Sequence, residues 1–218
     1  SVPAHAPMLK RYLLPGAAAV LLSACNGIFG DIYDDPAGEP DTGYGFVIES
    51  ENSMPGTIYI DATDYRDWVY LNFGAASAVT LDVDAPAPER WDMAVHRYDV
   101  KTNGGAVLQT EVSDFGEVAL LPGAAFTPDV WTTGTIVTDM SGMMDGNLEY
   151  AGSFYNPVLS QWLDVDKSTM PPVYTLSGRV YVLRLSSGDY AAVKLANYMD
   201  ASAVKGFMTI QYVYPYLP

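Results

Sequence analysis

Cysteine, histidine and basic residues are all scarce in this chain of 218 residues. A single cysteine excludes a disulfide framework and zinc sites that are built from paired cysteines. Two histidines, His5 and His96, leave little scope for imidazole chemistry. The chain has 11 lysines and arginines against 26 acidic residues, and its formal net charge is −15. This acidic balance disfavours binding to nucleic acid, whose phosphate backbone is itself negative.

Sequence motifs of the common enzyme classes are also missing. The chain contains no GxGxxG, Walker, HExxH or GxSxG motif. An acidic pair such as Asp82 and Asp84 could in principle act as a glycosidase couple, but alternating acids on a strand are usually a solvated face. We therefore predict a protein that is not an enzyme.

The N-terminal segment has the order of charges and apolar residues that is typical of a secretory signal. Lys10 and Arg11 precede an apolar run over residues 12–22, which is too short to span the ~30 Å hydrocarbon core of a membrane. Leu22-Ser23-Ala24-Cys25 then resembles a bacterial lipobox, in which the cysteine is acylated. We predict a signal peptide with an upstream extension over residues 1–24 and lipidation of Cys25. The alternative is a buried N-terminal helix with an incidental cysteine.

An acidic stretch follows the cysteine. Residues 26–42 contain five acids, two prolines and few apolar side chains, a composition that is typical of an extended, solvated tether. We assign residues 25–43 to the lipidated cysteine and this tether, which is either a surface-export signal or an ordinary linker. Several acyl chains on one residue give stable anchoring, so the expected location is the outer membrane, exposed at the surface or released outside the cell.

Residues 44–218 are rich in β-branched and aromatic residues divided by glycine and proline, which predicts one all-β domain. The alternation from Met208 to Tyr214 has the period of a half-buried strand, and residues 186–189 predict a hairpin turn. A single helical turn is expected near Ala201 to Lys205. The clearest strands are predicted at residues 57–60, 68–73, 180–185, 190–197 and 207–214.

His96 lies in a strand-like segment that runs from Trp91 to Asp99. Strict alternation would put Trp91, Met93, Val95 and Arg97 on one face and His96 on the other, with Asp92, Ala94 and Tyr98. A histidine in such a position is more often structural than catalytic. We therefore expect His96 to be a structural residue.

The same segment carries a resemblance to a known family. Trp91-Asp92-Met93-Ala94-Val95-His96-Arg97-Tyr98-Asp99-Val100-Lys101-Thr102-Asn103-Gly104-Gly105-Ala106-Val107 resembles the signature block of the HmuY family of haem-binding surface lipoproteins. Three further stretches agree in order and spacing: Thr57–Ala62 before Trp68, Tyr174–Tyr181 before Leu183-Arg184, and Lys205-Gly206 before Tyr212–Pro215. The resemblance covers roughly residues 55–215.

The resemblance implies a single antiparallel β domain whose loops grip haem, and a role in haem and iron acquisition without catalysis. The implied cofactor is haem b, which the protein would pass to a TonB-dependent outer-membrane receptor. Host haemoproteins are a further implied partner as the haem source, and a homo-oligomer is left open.

Members of the family ligate the haem iron axially with two histidines or two methionines. By ungapped spacing from Glu149-Tyr150 and Trp162-Leu163, the two histidine positions fall on Gly146 and Lys167, so histidine ligation is lost here.

Both loops carry methionine nearby, and a thioether is a soft, neutral iron ligand. The resemblance therefore points to Met144, or alternatively Met143, paired with Met170. Packing in the core is the competing interpretation of any methionine, and we expect it for Met93, Met199 and Met208.

A haem pocket also needs flat apolar walls and a partner for the propionates. Tyr150, Phe154, Tyr155 and Trp162 lie between the two ligand loops in sequence and are the expected walls, and Lys167 is the nearby cation. Tyr150 or Lys167 is a less favoured alternative as iron ligand. Missing histidines and an acidic surface also support a different function, that of a surface adhesion or glycan-binding lipoprotein of the same fold that no longer binds haem.

Overall fold

The computed structural model describes residues 43–47, 55–120 and 122–217. The predicted signal peptide, Cys25 and most of the predicted tether lie outside these residues. Within the described part, no helix is long and apolar enough to cross a membrane. The strands are β1 (Gly45–Val47), β2 (Gly56–Asp61), β3 (Asp67–Asn72), β4 (Ser77–Asp82), β5 (Met93–His96), β6 (Asp99–Thr102), β7 (Ala106–Gln109), β8 (Thr127–Pro128), β9 (Val130–Asp139), β10 (Glu149–Tyr155), β11 (Leu163–Asp166), β12 (Val173–Leu176), β13 (Tyr181–Arg184), β14 (Tyr190–Met199) and β15 (Lys205–Val213).

Two antiparallel sheets and two separate hairpins make up the fold. The larger sheet has seven strands in the order β1-β2-β15-β14-β13-β7-β8, and the smaller has four in the order β4-β3-β5-β6. Strands β9 and β10 pair only with each other, and so do β11 and β12. In the described residues, three short 3-10 helices occur at Phe115–Glu117, Met143–Asp145 and Leu159–Trp162. The all-β prediction is confirmed.

The main core lies between the two sheets. Alternate residues of both sheets meet there, with Ile58 and Ile210 from the larger sheet and Leu71 and Val95 from the smaller one, all fully or almost fully buried. Burying a side chain of this size contributes roughly 1.5–3 kcal/mol relative to leaving it exposed, so this layer stabilises the packing of the two sheets. Met93, Met199 and Met208 lie in this core, as expected.

A second apolar cluster covers the outer face of the four-stranded sheet. Trp68, Tyr70 and Ala94 point outward from that sheet, and Ile136 of hairpin β9–β10 packs on them. Ala151 and Tyr155 of the same hairpin add to the cluster. Hairpin β9–β10 is therefore attached to the domain by one of its two faces.

The strands predicted from the sequence are confirmed, but two local predictions are wrong: the helical turn near Ala201 and the face on which Trp91 lies. The turn at residues 186–189 joins β13 to β14 as predicted. Residues 201–204 form a turn instead of a helical turn, because the Asp200 carboxylate accepts hydrogen bonds from the backbone N–H groups of Ser202 (2.9 Å) and Val204 (2.7 Å). Trp91 lies outside β5 and packs edge-on against Tyr70 in the outer cluster, opposite the face predicted for it.

Candidate functional site

Exposed apolar side chains are concentrated on the two hairpins. Of the twelve large hydrophobic side chains that are exposed in the described part of the chain, eight lie on hairpins β9–β10 and β11–β12. These eight are Val130, Trp131, Met143, Met144, Tyr150, Phe154, Met170 and Val173. Exposed apolar groups gathered in this way are typical of a surface that binds a ligand or a partner.

Two methionines occupy the tip of hairpin β9–β10. The 3-10 turn Met143–Asp145 is closed by hydrogen bonds from the N–H of Met143 to Met140 O (3.0 Å) and from the N–H of Gly146 to Met143 O (3.1 Å). Gly146 has a positive φ of 75°, a conformation that glycine adopts readily. The turn leaves Met144 89% exposed and Met143 45% exposed.

The third candidate methionine lies at the tip of the other hairpin. Met170 belongs to the connection between β11 and β12 and is 82% exposed. Lys167 begins the same connection and is also exposed. Two tips therefore carry thioethers, at Met143 and Met144 on one hairpin and at Met170 on the other. The strands of the two hairpins make no extensive contact with each other.

The aromatic residues predicted to line a haem pocket do not lie together in the structure. Tyr150 is 43% exposed on β10 near the tip, where it pairs with Val137. Phe154 is exposed at the base of the same strand, opposite Trp131. Tyr155 points to the other face, as neighbouring residues of a strand do, and packs on the outer cluster.

Trp162 does not fit the expected wall. It is fully buried in the main core, and its indole N–H donates a hydrogen bond to Tyr98 O at 2.9 Å. A ring without exposed surface offers no face to a ligand in this conformation. Its role here is to anchor the chain between the two hairpins.

The bases of both hairpins are attached to the edge strand β6. The N–H of Asn156 donates to Val100 O (2.6 Å), and the N–H of Val100 donates to the Ser160 hydroxyl (3.0 Å). Together with the Trp162 bond to Tyr98 O, these contacts satisfy the outer edge of the strand. The segment Tyr98–Thr102 of the signature block therefore fixes where the two hairpins begin.

A buried polar network strengthens the base of hairpin β9–β10. The Asp129 carboxylate accepts from Thr102 N–H (2.6 Å), Thr102 Oγ1 (3.0 Å) and Asn156 Nδ2 (2.9 Å). Asn156, which is fully buried, also donates to Thr127 O and accepts from the N–H groups of Val158 and Leu159. Burial raises the pKa of Asp129, and these hydrogen bonds oppose the shift.

His96 and Arg97 hold the loop that follows β2. The His96 Nε2–H donates to Tyr65 O at 2.9 Å, and the ring lies 5.2 Å from that of Trp68. Arg97 donates to Thr63 O and stacks over the Tyr65 ring at 4.4 Å. Burial lowers the pKa of His96 to about 4, so the imidazole is neutral at pH 7. The structural role expected of His96 is consistent with this environment.

Asp99 on β6 is a buried carboxyl group that is influenced by the charge of Lys167, in the connection between β11 and β12. Burial raises the pKa of Asp99 to about 6, and the ammonium of Lys167 opposes that shift. The Lys167 side chain itself is exposed, and the ion pairs within 4.0 Å in the described residues do not include it. In the described part of the chain, no group of three or more His, Cys, Asp or Glu side chains could hold a metal ion.

Sequence reasoning missed Asp129, Asn156 and Ser160, which position the hairpins. Asp129 follows a proline and Asn156 precedes one, so both look like ordinary turn residues in the sequence. Their partners lie 27 and 60 residues away along the chain, at Thr102 for Asp129 and at Val100 for Ser160. No local sequence pattern indicates contacts between residues that lie so far apart along the chain.

The fold and site define a class of protein: an all-β domain of two facing sheets that carries two hairpins with methionine-bearing tips. A family model described as HmuY protein matches residues 64–212, and the chain belongs to this family. The family resemblance read from the sequence is thereby confirmed. No curated protein sequence matches the chain at a significant level.

Three solved structures are similar to this chain over most of its length. A protein of Bacteroides vulgatus ATCC 8482, assigned as a HmuY-like haem-binding protein, is 53% identical, with a TM-score of 0.75, over 81% of this chain and 100% of its own. A protein of Bacteroides fragilis NCTC 9343, assigned as a lipoprotein, is 43% identical, with a TM-score of 0.76, over 83% and 100%. The apo HmuY analogue of Tannerella forsythia is 25% identical, with a TM-score of 0.64, over 73% and 94%.

Proposed function

We propose that this protein binds haem through one thioether from each hairpin tip, Met144 or its neighbour Met143 on one side and Met170 on the other. The observation that carries the proposal is the exposure of these three side chains on two hairpins that hold most of the exposed large apolar surface. An exposed methionine has little to gain from water, whereas a bound porphyrin would cover it. The HmuY-like assignment of the Bacteroides vulgatus protein supports the same ligand.

The residues present fit haem by the chemistry of their donors. When bound, the haem iron would accept two neutral sulfur ligands, a combination that raises the reduction potential and favours the reduced form. A thioether carries no proton in the relevant pH range, so ligation itself would add little pH dependence. Tyr150 near one tip supplies an exposed ring, and Lys167 at the other supplies a cation for a propionate. Tyr150 or Lys167 as an iron ligand is the less favoured alternative.

We further propose that the ligand is haem b and that the protein acts in haem acquisition without being an enzyme. A lipid on Cys25 would hold it at the outer-membrane surface, and a TonB-dependent receptor would accept the haem. Host haemoproteins would be the source of the haem. The assignment of the Bacteroides fragilis protein as a lipoprotein supports the lipid anchor.

A titration of the domain over residues 44–218 with haem in its oxidised and reduced forms tests the central proposal. We expect a saturable shift of the Soret band at micromolar protein, with tighter binding of reduced haem. Met144→Leu, Met143→Leu and Met170→Leu keep the side-chain volume and remove the sulfur, so loss of the shift identifies the ligand pair.

Met140→Leu is the matched control, because Met140 precedes the same tip and is not proposed as a ligand. The proposal fails if neither form of haem gives a saturable shift, or if the triple variant of the tip methionines binds haem as the parent protein does.

A further inference from the structure

A groove of about 530 Å³ lies between the base of hairpin β9–β10 and the signature block. Its apolar walls are aromatic rings, and its polar groups come from the stretch Lys101–Gly105 and from Asp129. The principal rings are Tyr70, Trp91, Trp131 and Phe154. A cavity of this size with mostly apolar walls and a few polar groups has the character of a small-molecule site.

The aromatic walls are fixed although they are exposed. Trp131 packs closely against Gly152, where an added Cβ would come within 2.8 Å of the indole ring. It also meets the Phe154 ring edge-on at a centroid distance of 5.2 Å. Trp131 is 59% exposed and Phe154 52% exposed, so two preorganised rings offer their surface to solvent. Preorganised walls lower the entropic cost of binding a flat ring.

Lys101 supplies a cation in the floor of the groove. Its Nζ lies 3.9 Å from the centre of the Trp68 ring and donates to the Tyr70 hydroxyl at 3.1 Å. An ammonium has three donors, and this is one of them. The ion pairs within 4.0 Å in the described part of the chain use Arg66 and Arg179, so Lys101 has no carboxylate at that distance.

The carboxylate nearest to this lysine in the groove is already occupied. Asp129 accepts three hydrogen bonds from Thr102 and Asn156, and its charge acts on Lys101 only from beyond ion-pair distance. Burial lowers the pKa of Lys101 to about 8, with Asp129 opposing the shift. The charge of Lys101 is therefore met by the rings of Trp68, Tyr70 and Trp91, at 3.9, 5.0 and 5.7 Å, and a ligand carboxylate would add the ion pair that Asp129 does not make.

This groove is separate from the methionine tips. Phe154 pairs with Trp131 at the base of the hairpin, and Glu149 pairs with Asp139 at the tip. The eight residue steps from Trp131 to Asp139 along β9 correspond to roughly 25 Å at about 3.3 Å per residue. A ligand in the groove and a ligand at the tips would therefore occupy different places.

We propose that the groove is a second binding site, for a small ligand that has one ring with an apolar face and one carboxylate. The ring packs against Trp131 and Phe154, and the carboxylate accepts hydrogen bonds from Lys101 Nζ. This chemistry is shared by aromatic carboxylates and by sugars with a carboxylate. The site does not depend on haem binding.

Calorimetric titration of the protein with two matched pairs of probes tests the site and distinguishes aromatic carboxylates from acidic sugars as its ligand. Indole-3-acetate is compared with tryptophol, which has the same ring and a hydroxyl group, and glucuronate is compared with glucose. We expect saturable binding of at least one acid and binding about tenfold weaker of its neutral partner, because one charge-assisted hydrogen bond is lost. Binding of the indole acid alone identifies aromatic carboxylates, and binding of glucuronate alone identifies acidic sugars.

Two variants keep the test decisive. Lys101→Met retains the hydrocarbon stem and should reduce binding of the acid to that of the neutral probe. Trp131→Ala changes an exposed ring and should weaken binding of both members of a pair. Lys194→Met is the control, since Lys194 lies outside the groove on β14, where it donates to Ser113 O. The proposal is overturned if neither acid binds, if acid and neutral probe bind equally, or if both groove variants bind like the parent.

Discussion

Removal of the Asn156 side chain should destabilise the domain strongly, because this side chain ties the chain that enters hairpin β9–β10 to the segment that leaves it. The side chain is fully buried and takes part in four hydrogen bonds, to Thr127 O (3.0 Å), to Asp129 Oδ1 (2.9 Å) and from the N–H groups of Val158 (3.1 Å) and Leu159 (2.9 Å). Asn156→Ala leaves the buried N–H of Leu159 and the Asp129 carboxylate short of partners.

The magnitude follows from these contacts. A neutral hydrogen bond contributes about 1 kcal/mol net and one to a charged group about 1.5–3 kcal/mol, so three neutral bonds and one bond to a carboxylate amount to roughly 4.5–6 kcal/mol. Water that enters the space left by the side chain would replace some of these hydrogen bonds and so reduce the loss of stability. We expect a loss of about 4 kcal/mol in the free energy of unfolding, which is a large share of the 5–15 kcal/mol typical of a domain.

Urea denaturation followed by tryptophan fluorescence measures this loss, with an unchanged m-value as the sign that the folded state stays compact. Asn147→Ala is the matched control, because Asn147 is exposed at the tip of the same hairpin and should change stability by less than about 0.5 kcal/mol. A loss below about 1 kcal/mol for Asn156→Ala would refute the role assigned to the network.

A second substitution at the same position separates charge from shape. Asn156→Asp has the same size and replaces the amide that donates to Asp129 Oδ1 at 2.9 Å with another carboxyl group. Two carboxylates at that distance repel each other unless one is protonated. The loss of stability should therefore be larger at pH 7 than at pH 4, and an equal loss at both pH values would contradict the geometry.

Two further predictions concern the hairpin tips and the strand beneath them. The pKa of Asp99 is about 6 in the folded protein against 3.8 in the unfolded chain, so the wild-type protein loses stability as the pH rises from about 4 through 6. In urea melts, Asp99→Asn should raise the free energy of unfolding by up to about 3 kcal/mol at pH 7.5 and by almost nothing near pH 4. A difference that does not depend on pH would contradict this prediction. Dilute peroxide should oxidise Met144 and Met170 well before the buried Met93 and Met208, as followed by peptide mass spectrometry, and equal rates would show that the tips are not exposed as described.

The sequence predicts the strands of this fold well because their pattern is local. The alternation in β15 places Met208 and Ile210 in the core, and the turn at residues 186–189 joins β13 to β14. The helical turn near Ala201 fails because Asp200 draws the following N–H groups into a tight turn. Helix propensity predicts poorly where a side chain such as that of Asp200 binds backbone N–H groups in place of the helical hydrogen bonds.

The arrangement of the candidate site is harder to predict from the sequence. Proximity along the chain suggests that Phe154, Tyr155 and Trp162 share one pocket, but a strand sends the first two to opposite faces and the third enters the core. Burial of Trp162 depends on Tyr98, which lies 64 residues away. The methionine tips were accessible to prediction because Gly and Pro mark their loops, whereas the Lys101 groove joins segments that have no common pattern.

The attachment of both hairpins to one edge strand has a consequence for how this fold can change. The bonds that hold the hairpins use Val100, Thr102 and Tyr98 at their bases, and none of them involves residues 140–148 or 167–172 at the tips. Substitutions at the tips can therefore alter ligand chemistry while the anchoring bonds stay intact. The sheets and the hairpin bases form a constant framework, and selection can change the residues of the two tips without affecting folding.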